Sequence, residues 1–104
     1  MKLIIVDDSK EYMTLIRRML ASVIPDIEVT EYDPEQQGRP TTDFDWGIYD
    51  VLFIDYQLGV HENGLDWIEK YRKDSGFPPV ILMTSTSDEY VAASAIKLGA
   101  SFLY

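Results

Sequence analysis

Short runs of apolar, often β-branched residues alternate along the chain with longer segments in which apolar residues recur at helical spacing. The runs at residues 3–6, 50–55 and 79–83 are apolar almost throughout, which is typical of strands buried on both faces of a sheet. Residues 27–32 alternate between apolar and polar side chains, as a half-exposed edge strand does. Residues 101–104 begin a further strand, so the pattern predicts five strands in all.

Three of the intervening segments have the spacing of amphipathic helices. The first begins after Ser9, a suitable N-cap, and ends before Pro25. The second covers residues 64–73, and the third covers residues 88–98 and ends at Gly99 as a C′ residue. The apolar positions that we predict to be the buried face of the first helix are Tyr12, Leu15, Ile16, Met19, Leu20 and Val23.

Residues 33–49 are the least regular part of the chain. Pro34 can occupy the first turn of a helix, but the glycine and proline that soon follow allow only a short or distorted one. Trp46, in this segment, and Trp67, at the margin of the apolar face of the second helix, are predicted to pack against the sheet rather than to bind a ligand.

The alternation of strands and helices predicts an α/β fold with a doubly wound parallel sheet. For this sheet we expect the flavodoxin-like strand order 2-1-3-4-5. Ligands of such sheets bind outside the carboxyl ends of the strands. Asp7 and Asp8 follow the first strand, Asp55 ends the third, and Thr84 follows the fourth. The topology therefore directs attention to these four residues.

Three carboxylates brought to one crevice repel one another unless a cation lies among them. Oxygen ligands suit Mg²⁺, which takes one or two carboxylates and keeps several waters. A carboxylate beside Mg²⁺ can attack phosphorus and form an aspartyl phosphate, and a hydroxyl such as that of Thr84 can hydrogen-bond the transferred group. The alternative is that Asp7, Asp8 and Asp55 only cap turns and helices, as strand-end Asp residues often do.

Composition narrows the classes of partner. The chain has 104 residues, enough for one domain, and carries a net charge of −9. This charge repels nucleic-acid phosphates and anionic membranes, so we expect neither to contact the domain directly. There is no cysteine, which excludes disulfides and fits a cytoplasmic location, and the apolar run at the N-terminus is too short for a signal peptide.

Four fragments, in order and at matching spacings, resemble the receiver domain of bacterial two-component response regulators over nearly the whole chain. They cover residues 4–9, 51–58, 79–85 and 97–101. The resemblance implies that a histidine kinase supplies a phosphoryl group to Asp55 in the presence of Mg²⁺. It also implies roles for further residues: Asp8 as a direct metal ligand, Asp7 acting through a metal-bound water, Gln57 as a ligand through its backbone carbonyl, Thr84 as the switch hydroxyl, and Phe102 as the candidate switch aromatic.

The chain departs from the family pattern in three places. Gly59 stands where the family usually has a proline, in a loop that looks one residue longer than the common form. The helix after the second strand is poorly formed. The family carries a lysine just after the fifth strand, whereas this chain stops at Tyr104, before the final helix. We therefore expect a truncated receiver domain, residues 1–104, whose parent protein continues into an output domain, with a surface left exposed for a homodimer or an exchanged partner.

Two other functions remain to be weighed. One is an interaction module of the same fold that no longer uses phosphate. The other is a phosphatase of the haloacid-dehalogenase type, which needs Asp-x-Asp after its first strand, whereas this chain has Asp7-Asp8-Ser9. We expect no turnover of a separate substrate, and slow to moderate loss of the phosphoryl group, because neither Gln57 nor Thr86 is acidic. His61, the only histidine, is expected to be a solvated loop residue.

Overall fold

The computed structural model describes residues 1–59, 62–85 and 89–103. Its elements, in chain order, are β1 (Lys2–Val6), α1 (Lys10–Val23), β2 (Glu28–Tyr32), α2 (Pro34–Gln37), a 3₁₀ turn (Trp46–Ile48), β3 (Val51–Asp55), α3 (Gly64–Tyr71), β4 (Val80–Met83), α4 (Glu89–Lys97) and β5 (Ser101–Leu103). The strands form one parallel sheet with the order β2-β1-β3-β4-β5. The predicted fold class and strand order are confirmed.

Side-chain caps fix the starts of the helices. Ser9 caps α1, since its hydroxyl oxygen accepts a hydrogen bond from the Tyr12 N–H at 3.2 Å. Asn63 and Asp66 form a reciprocal capping box at the start of α3. Pro34 occupies the first turn of α2 as predicted, and Gly38 ends that helix after one turn with a φ of 71°.

One face of the sheet is covered by α3, α4 and an aromatic cluster. The rings of this cluster contact one another in series: Tyr32, Phe44, Trp46, Tyr49, Trp67, Tyr71 and Phe77. Trp46 is 1% exposed and Trp67 is 2% exposed, so both pack in the core as predicted. Trp67 was predicted at the margin of the apolar face of α3, but its ring lies within the core, where it contacts Tyr32 of β2.

The opposite face is covered, within the described residues, by α1 alone. Met13 of α1 is buried against Leu3, Ile5 and Met83 of the sheet. Four residues that we predicted for the buried face of α1 are instead exposed, and we call them the α1 stripe: Tyr12 (41% exposed), Leu15 (52%), Met19 (58%) and Val23 (72%). Ile16 and Leu20 are partly buried beside Met13.

The orientation of α1 explains this outcome. Glu31 on the edge strand β2 pairs with Lys10 at 3.1 Å and with Arg17 at 3.2 Å, which places the basic side of α1 over β2. The apolar arc of the helix is wider than the surface it contacts, so the α1 stripe lies on the side away from β2. Because α1 lies toward β2, Val51 and Phe53 of β3 are only half-buried, although we predicted that strand to be buried on both faces.

The predicted and observed ends of the strands and helices differ by one or two residues, as expected for pattern-based boundaries. Gly99 has a φ of 82° after α4, which confirms its predicted role in ending that helix. No helix in the described ranges is long and apolar enough to cross a membrane.

Candidate functional site

Strand register brings the predicted acidic residues together. Val6 of β1 lies beside Ile54 of β3, so Asp7 and Asp55 extend from neighbouring strands at the same edge of the sheet. Side chains alternate between the two faces of a strand, and Leu3 and Ile5 face α1. Asp7 continues that series on β1, as Asp55 continues the series of half-buried residues on β3. Both carboxylates therefore lie on the side of the sheet that α1 covers.

Asp7, Asp8 and Asp55 offer ligand oxygens that all lie within 4.8 Å of one another. These residues line a cavity of about 320 Å³ at the carboxyl edge of the sheet. The lining residues are Asp7, Asp8, Ser9, Tyr12, Asp55, Gln57, Met83, Thr84 and Ser85. No basic side chain lines this cavity in the part of the chain that the structure describes.

Asp7 is the most deeply placed of the three acids, at 1% exposed. Its Oδ1 atom accepts a hydrogen bond from the Ser9 N–H at 2.9 Å, whereas its Oδ2 atom is buried without a partner among the described residues. Burial raises the pKa of Asp7 to about 7, the Ser9 N–H opposes that rise, and the charges of Asp55 and Asp8 add to it. Asp7 in the metal-free site is therefore an acid that resists ionisation.

Asp55 is half-buried at the end of β3. Burial raises its pKa, the backbone N–H of Gln57 lowers it, and the negative charge on Asp8 raises it further. A divalent cation bound between the carboxylates would reverse this balance, since it favours the ionised form of each acid. Three features of the site fit a divalent cation with oxygen ligands. They are the buried Asp7 Oδ2 atom without a described partner, the clustered carboxylates, and the absence of a basic residue from the described lining.

Thr84 and Gln57 approach the same cavity from two other directions. Asp55 lies beside Met83 in the register of β3 and β4, so Thr84 follows directly at the neighbouring strand end. Thr84 is 9% exposed and lines the cavity, as does Gln57 two residues after Asp55. The ring of Phe102, residue Thr86 and His61 lie outside what the structure describes, so the predictions for them stay predictions.

The loop after Asp55 is held by local contacts that explain two glycines. Gly59 has a φ of 96°, which proline cannot adopt because its ring fixes φ near −65°. Gly64 packs so closely on the end of β3 that an added Cβ atom would lie 2.5 Å from the carbonyl oxygen of Asp55. Its N–H also donates to the Tyr56 carbonyl at 2.8 Å. The start of α3 therefore supports the backbone that presents Asp55.

Tyr12 lines the cavity, although the sequence pattern did not indicate a place for it at the site. We predicted it for the buried face of α1, but it is 41% exposed and lies at the wall of the acidic cavity. Its position one helical turn beyond Asp8 was the available signal, because a residue in the first turn after a strand lies near the carboxyl edge of the sheet.

Comparison with known proteins gives the family. Residues 3–103 match the model of the response regulator receiver domain. The chain belongs to that family. It is also 30% identical over 102 residues to the chemotaxis protein CheY1 of Helicobacter pylori (strain ATCC 700392 / 26695), an alignment that covers 95% of this chain and 79% of CheY1.

Solved structures agree on the fold. The signal receiver domain of a DNA binding response regulator protein from Colwellia psychrerythraea 34H aligns with a TM-score of 0.76 at 19% identity, over 98% of this chain and 83% of that one. The Mn²⁺-bound form of response regulator Rcp1 aligns with a TM-score of 0.72 at 18% identity, over 98% of this chain and 78% of that one.

Membership in this family decides between the broad classes of function. Receiver domains are signalling domains and do not turn over a separate substrate, so the phosphatase alternative is not supported. Receiver domains hold a divalent metal at an acidic pocket, and this receiver domain has such a pocket in Asp7, Asp8 and Asp55.

Proposed function

We propose that this receiver domain accepts a phosphoryl group on Asp55 from a histidine kinase, with Mg²⁺ bound beside it, and switches conformation through Thr84. The observation that carries the proposal is the convergence of Asp7, Asp8 and Asp55, whose ligand oxygens lie within 4.8 Å of one another in a cavity open to a donor.

The described residues divide into ligands, nucleophile and switch. Asp8 and Asp55 would hold the cation directly, Asp7 would act through a metal-bound water, and the backbone carbonyl of Gln57 would complete the protein ligands. Bound Mg²⁺ supplies positive charge to a site with no basic residue among its described lining, and so keeps Asp55 ionised. A carboxylate oxygen of Asp55 then attacks phosphorus as the bond to the histidine nitrogen of the kinase breaks.

We propose that Thr84 responds to phosphorylation of Asp55. Its hydroxyl lies at the end of β4, beside the strand that carries Asp55, and can hydrogen-bond an oxygen of the phosphoryl group. Movement of Thr84 toward that group would couple the site to the loop that follows β4. Phe102 on the adjacent β5 is the candidate aromatic that turns inward behind it.

The partners follow from charge and exposure. The net charge of −9 disfavours direct contact with nucleic acid, and we propose a cytoplasmic location beside the kinase. The α1 stripe and the half-buried Phe53 form an apolar surface on the thinly covered side of the sheet. We propose that a homodimer or an exchanged partner covers it.

Incubation with acetyl phosphate and Mg²⁺, followed by intact-protein mass spectrometry, tests the proposal. We expect wild-type protein to gain the mass of one phosphoryl group and Asp55→Asn to gain none. The matched control is Asp50→Asn, since Asp50 lies at the opposite end of β3 and accepts a hydrogen bond from the Lys2 N–H at 2.8 Å, which an amide oxygen can also accept. Asp50→Asn should gain mass like wild type.

A second candidate function is an interaction module that does not use phosphate, and the exposed α1 stripe is the observation that favours it. The same experiment separates the two candidates. A wild-type protein that binds Mg²⁺ or a partner but gains no mass from acetyl phosphate supports the interaction module and contradicts phosphoacceptance.

A further inference from the structure

Tyr12 is linked to the acidic cluster by two successive hydrogen bonds, each from a backbone N–H to a side-chain oxygen. The Oδ1 atom of Asp7 accepts from the Ser9 N–H at 2.9 Å, and the hydroxyl oxygen of Ser9 accepts from the Tyr12 N–H at 3.2 Å. The first turn of α1 is thereby held in a fixed position relative to Asp7. The Tyr12 side chain lines the cavity on the α1 side, while Thr84 lines it on the β4 side.

Burial and the negative charges around the cavity keep the Tyr12 hydroxyl protonated, so it can act as a hydrogen-bond donor. Burial raises the pKa of Tyr12, and the charges of Asp7 and Asp55 raise it further, so the phenol stays protonated at neutral pH. A protonated phenol donates a hydrogen bond to an anion. The Tyr12 hydroxyl makes no hydrogen bond to another described residue, so its donor is available to a ligand in the cavity.

The described lining of the cavity contains acids and hydroxyl or amide groups but no cation. A phosphoryl group that enters this site brings negatively charged oxygens, of which the metal and Asp55 can contact only some. The remaining oxygens need donors from the walls of the cavity. The hydroxyl-bearing residues of the lining are Ser9, Tyr12, Thr84 and Ser85. Ser9 serves as the cap of α1, whereas the Tyr12 side chain lines the cavity from α1 and Thr84 lines it from the end of β4.

We propose that the Tyr12 hydroxyl donates a hydrogen bond to an oxygen of the phosphoryl group that is delivered to Asp55, opposite Thr84. This inference rests on the proposed function. It assigns Tyr12 a role in binding the phosphoryl group and no role in binding the metal. The ligand class is a tetrahedral or trigonal phosphoryl group, or a fluoride mimic of it, bound together with a divalent cation.

The test compares wild type with Tyr12→Phe, which keeps the ring and removes only the hydroxyl. We expect Tyr12→Phe to react with acetyl phosphate and Mg²⁺ about fivefold to tenfold more slowly, the effect of one lost hydrogen bond in a partly exposed site. The apparent affinity for beryllofluoride in the presence of Mg²⁺ should fall by a similar factor. The affinity for Mg²⁺ alone, measured by calorimetry, should be unchanged.

The matched control is Tyr49→Phe, because Tyr49 lies just before β3, at the end of the sheet opposite the cavity. It should react at the wild-type rate. Equal rates and beryllofluoride affinities for wild type and Tyr12→Phe would overturn the inference and leave phosphorylation of Asp55 intact. A Mg²⁺ affinity that falls as far as the beryllofluoride affinity would also overturn it. If wild type gains no phosphoryl group, the proposed function and this inference fail together.

Discussion

The two faces of the sheet differ in how they are covered and in what they carry at the carboxyl edge. The face packed by α3, α4 and the aromatic cluster is continuous hydrophobic core. The face under α1 has a small buried cluster, half-buried Val51 and Phe53, and the exposed α1 stripe. Asp7 and Asp55 continue the strand positions of this second face, so the acidic cavity opens on the thinly covered side.

This difference indicates that one face of the sheet contributes mainly to stability and the other to access to the cavity. The well-packed face provides the stability that holds three mutually repelling carboxylates at one edge of the sheet. The face under α1 leaves the cavity, Tyr12 and an apolar surface accessible to a donor or a partner. Substitutions on the two faces should therefore separate stability from the properties of the site.

The largest expected effect is on the packed face. Trp46→Ala removes a ring that is 1% exposed and contacts Phe44, Tyr71 and Phe77. We expect the free energy of unfolding, measured by urea denaturation, to fall by roughly 3 to 5 kcal/mol. Trp46→Phe should lose less, since the Trp46 Nε1 atom has no partner among the described residues. A loss below about 1 kcal/mol for Trp46→Ala would contradict the assignment of this face as the main core.

The next effect has the opposite sign and lies at the acidic cavity. Asp7 has a pKa of about 7 in the folded protein and an ordinary value of 3.8. Between these values the folded state keeps a proton that the unfolded state has lost, so the stability of metal-free protein falls as pH rises. Asp7→Asn cannot ionise and should be more stable than wild type at pH 8 without metal, by roughly 2 to 4 kcal/mol.

Two conditions sharpen this prediction for Asp7. The difference between Asp7→Asn and wild type should disappear near pH 3, where both side chains are neutral in the folded and unfolded states. Saturating Mg²⁺ should stabilise wild type and shrink the difference, since the metal binds only the folded site. A variant that is less stable than wild type at pH 8 without metal would contradict an energetic penalty at Asp7.

Gly64 connects the packed face to the site, and its substitution should have an intermediate effect. In Gly64→Ala the new methyl group would lie 2.5 Å from the Asp55 carbonyl oxygen and 2.8 Å from Leu82 Cδ1. We expect a loss of about 1 to 3 kcal/mol from overpacking, together with slower phosphorylation because the end of β3 must shift. The matched change Gly38→Ala meets no atom within 4 Å but strains a residue with a φ of 71°, so it should lower stability without slowing phosphorylation.

The smallest expected effect is that of Met19→Ala on the exposed side of α1, and Met13→Ala on the buried side is its reference. Met13→Ala removes a buried side chain and should cost roughly 2 to 4 kcal/mol, whereas Met19→Ala, 58% exposed, should change stability by about 0.5 kcal/mol or less. If Met19→Ala in dilute monomer costs as much as Met13→Ala, the α1 stripe is already covered in solution. Repeating the measurement over a range of protein concentrations then tests whether a second copy covers it.

The sequence was sufficient to predict the strands and helices, because their patterns are local and periodic. The convergence of the acidic residues then followed from the expected order of a doubly wound parallel sheet. Strand-end Asp7, Asp8 and Asp55 meet wherever the sheet is parallel in this order. It was not sufficient for α1, whose apolar arc is wider than the surface it covers. The helical spacing led us to include Met19 in the buried face and to leave Met13 out, whereas Met13 is buried and Met19 is 58% exposed. The pairing of Arg17 with Glu31 agrees with this orientation of the helix.

Other features depended on contacts that no local pattern encodes. The contact of Trp67 with Tyr32 joins α3 to β2 across more than thirty residues of the chain, so helical spacing alone does not reveal it. The glycine at position 59 could be identified as a departure from the family pattern, but its reason is the φ of 96° in the folded loop. Tyr12 was counted as a core residue because a ring at helical spacing is usually buried.

The proposed function requires that Asp8 and Asp55 bind one cation at the carboxyl edge of the sheet. The most direct measurement is an anomalous difference map from crystals grown with Mn²⁺ as a substitute for Mg²⁺. We expect a single strong peak about 2.1 Å from a carboxylate oxygen of Asp8 and one of Asp55. A peak elsewhere on the protein, or none in the acidic cavity at saturating Mn²⁺, would contradict it.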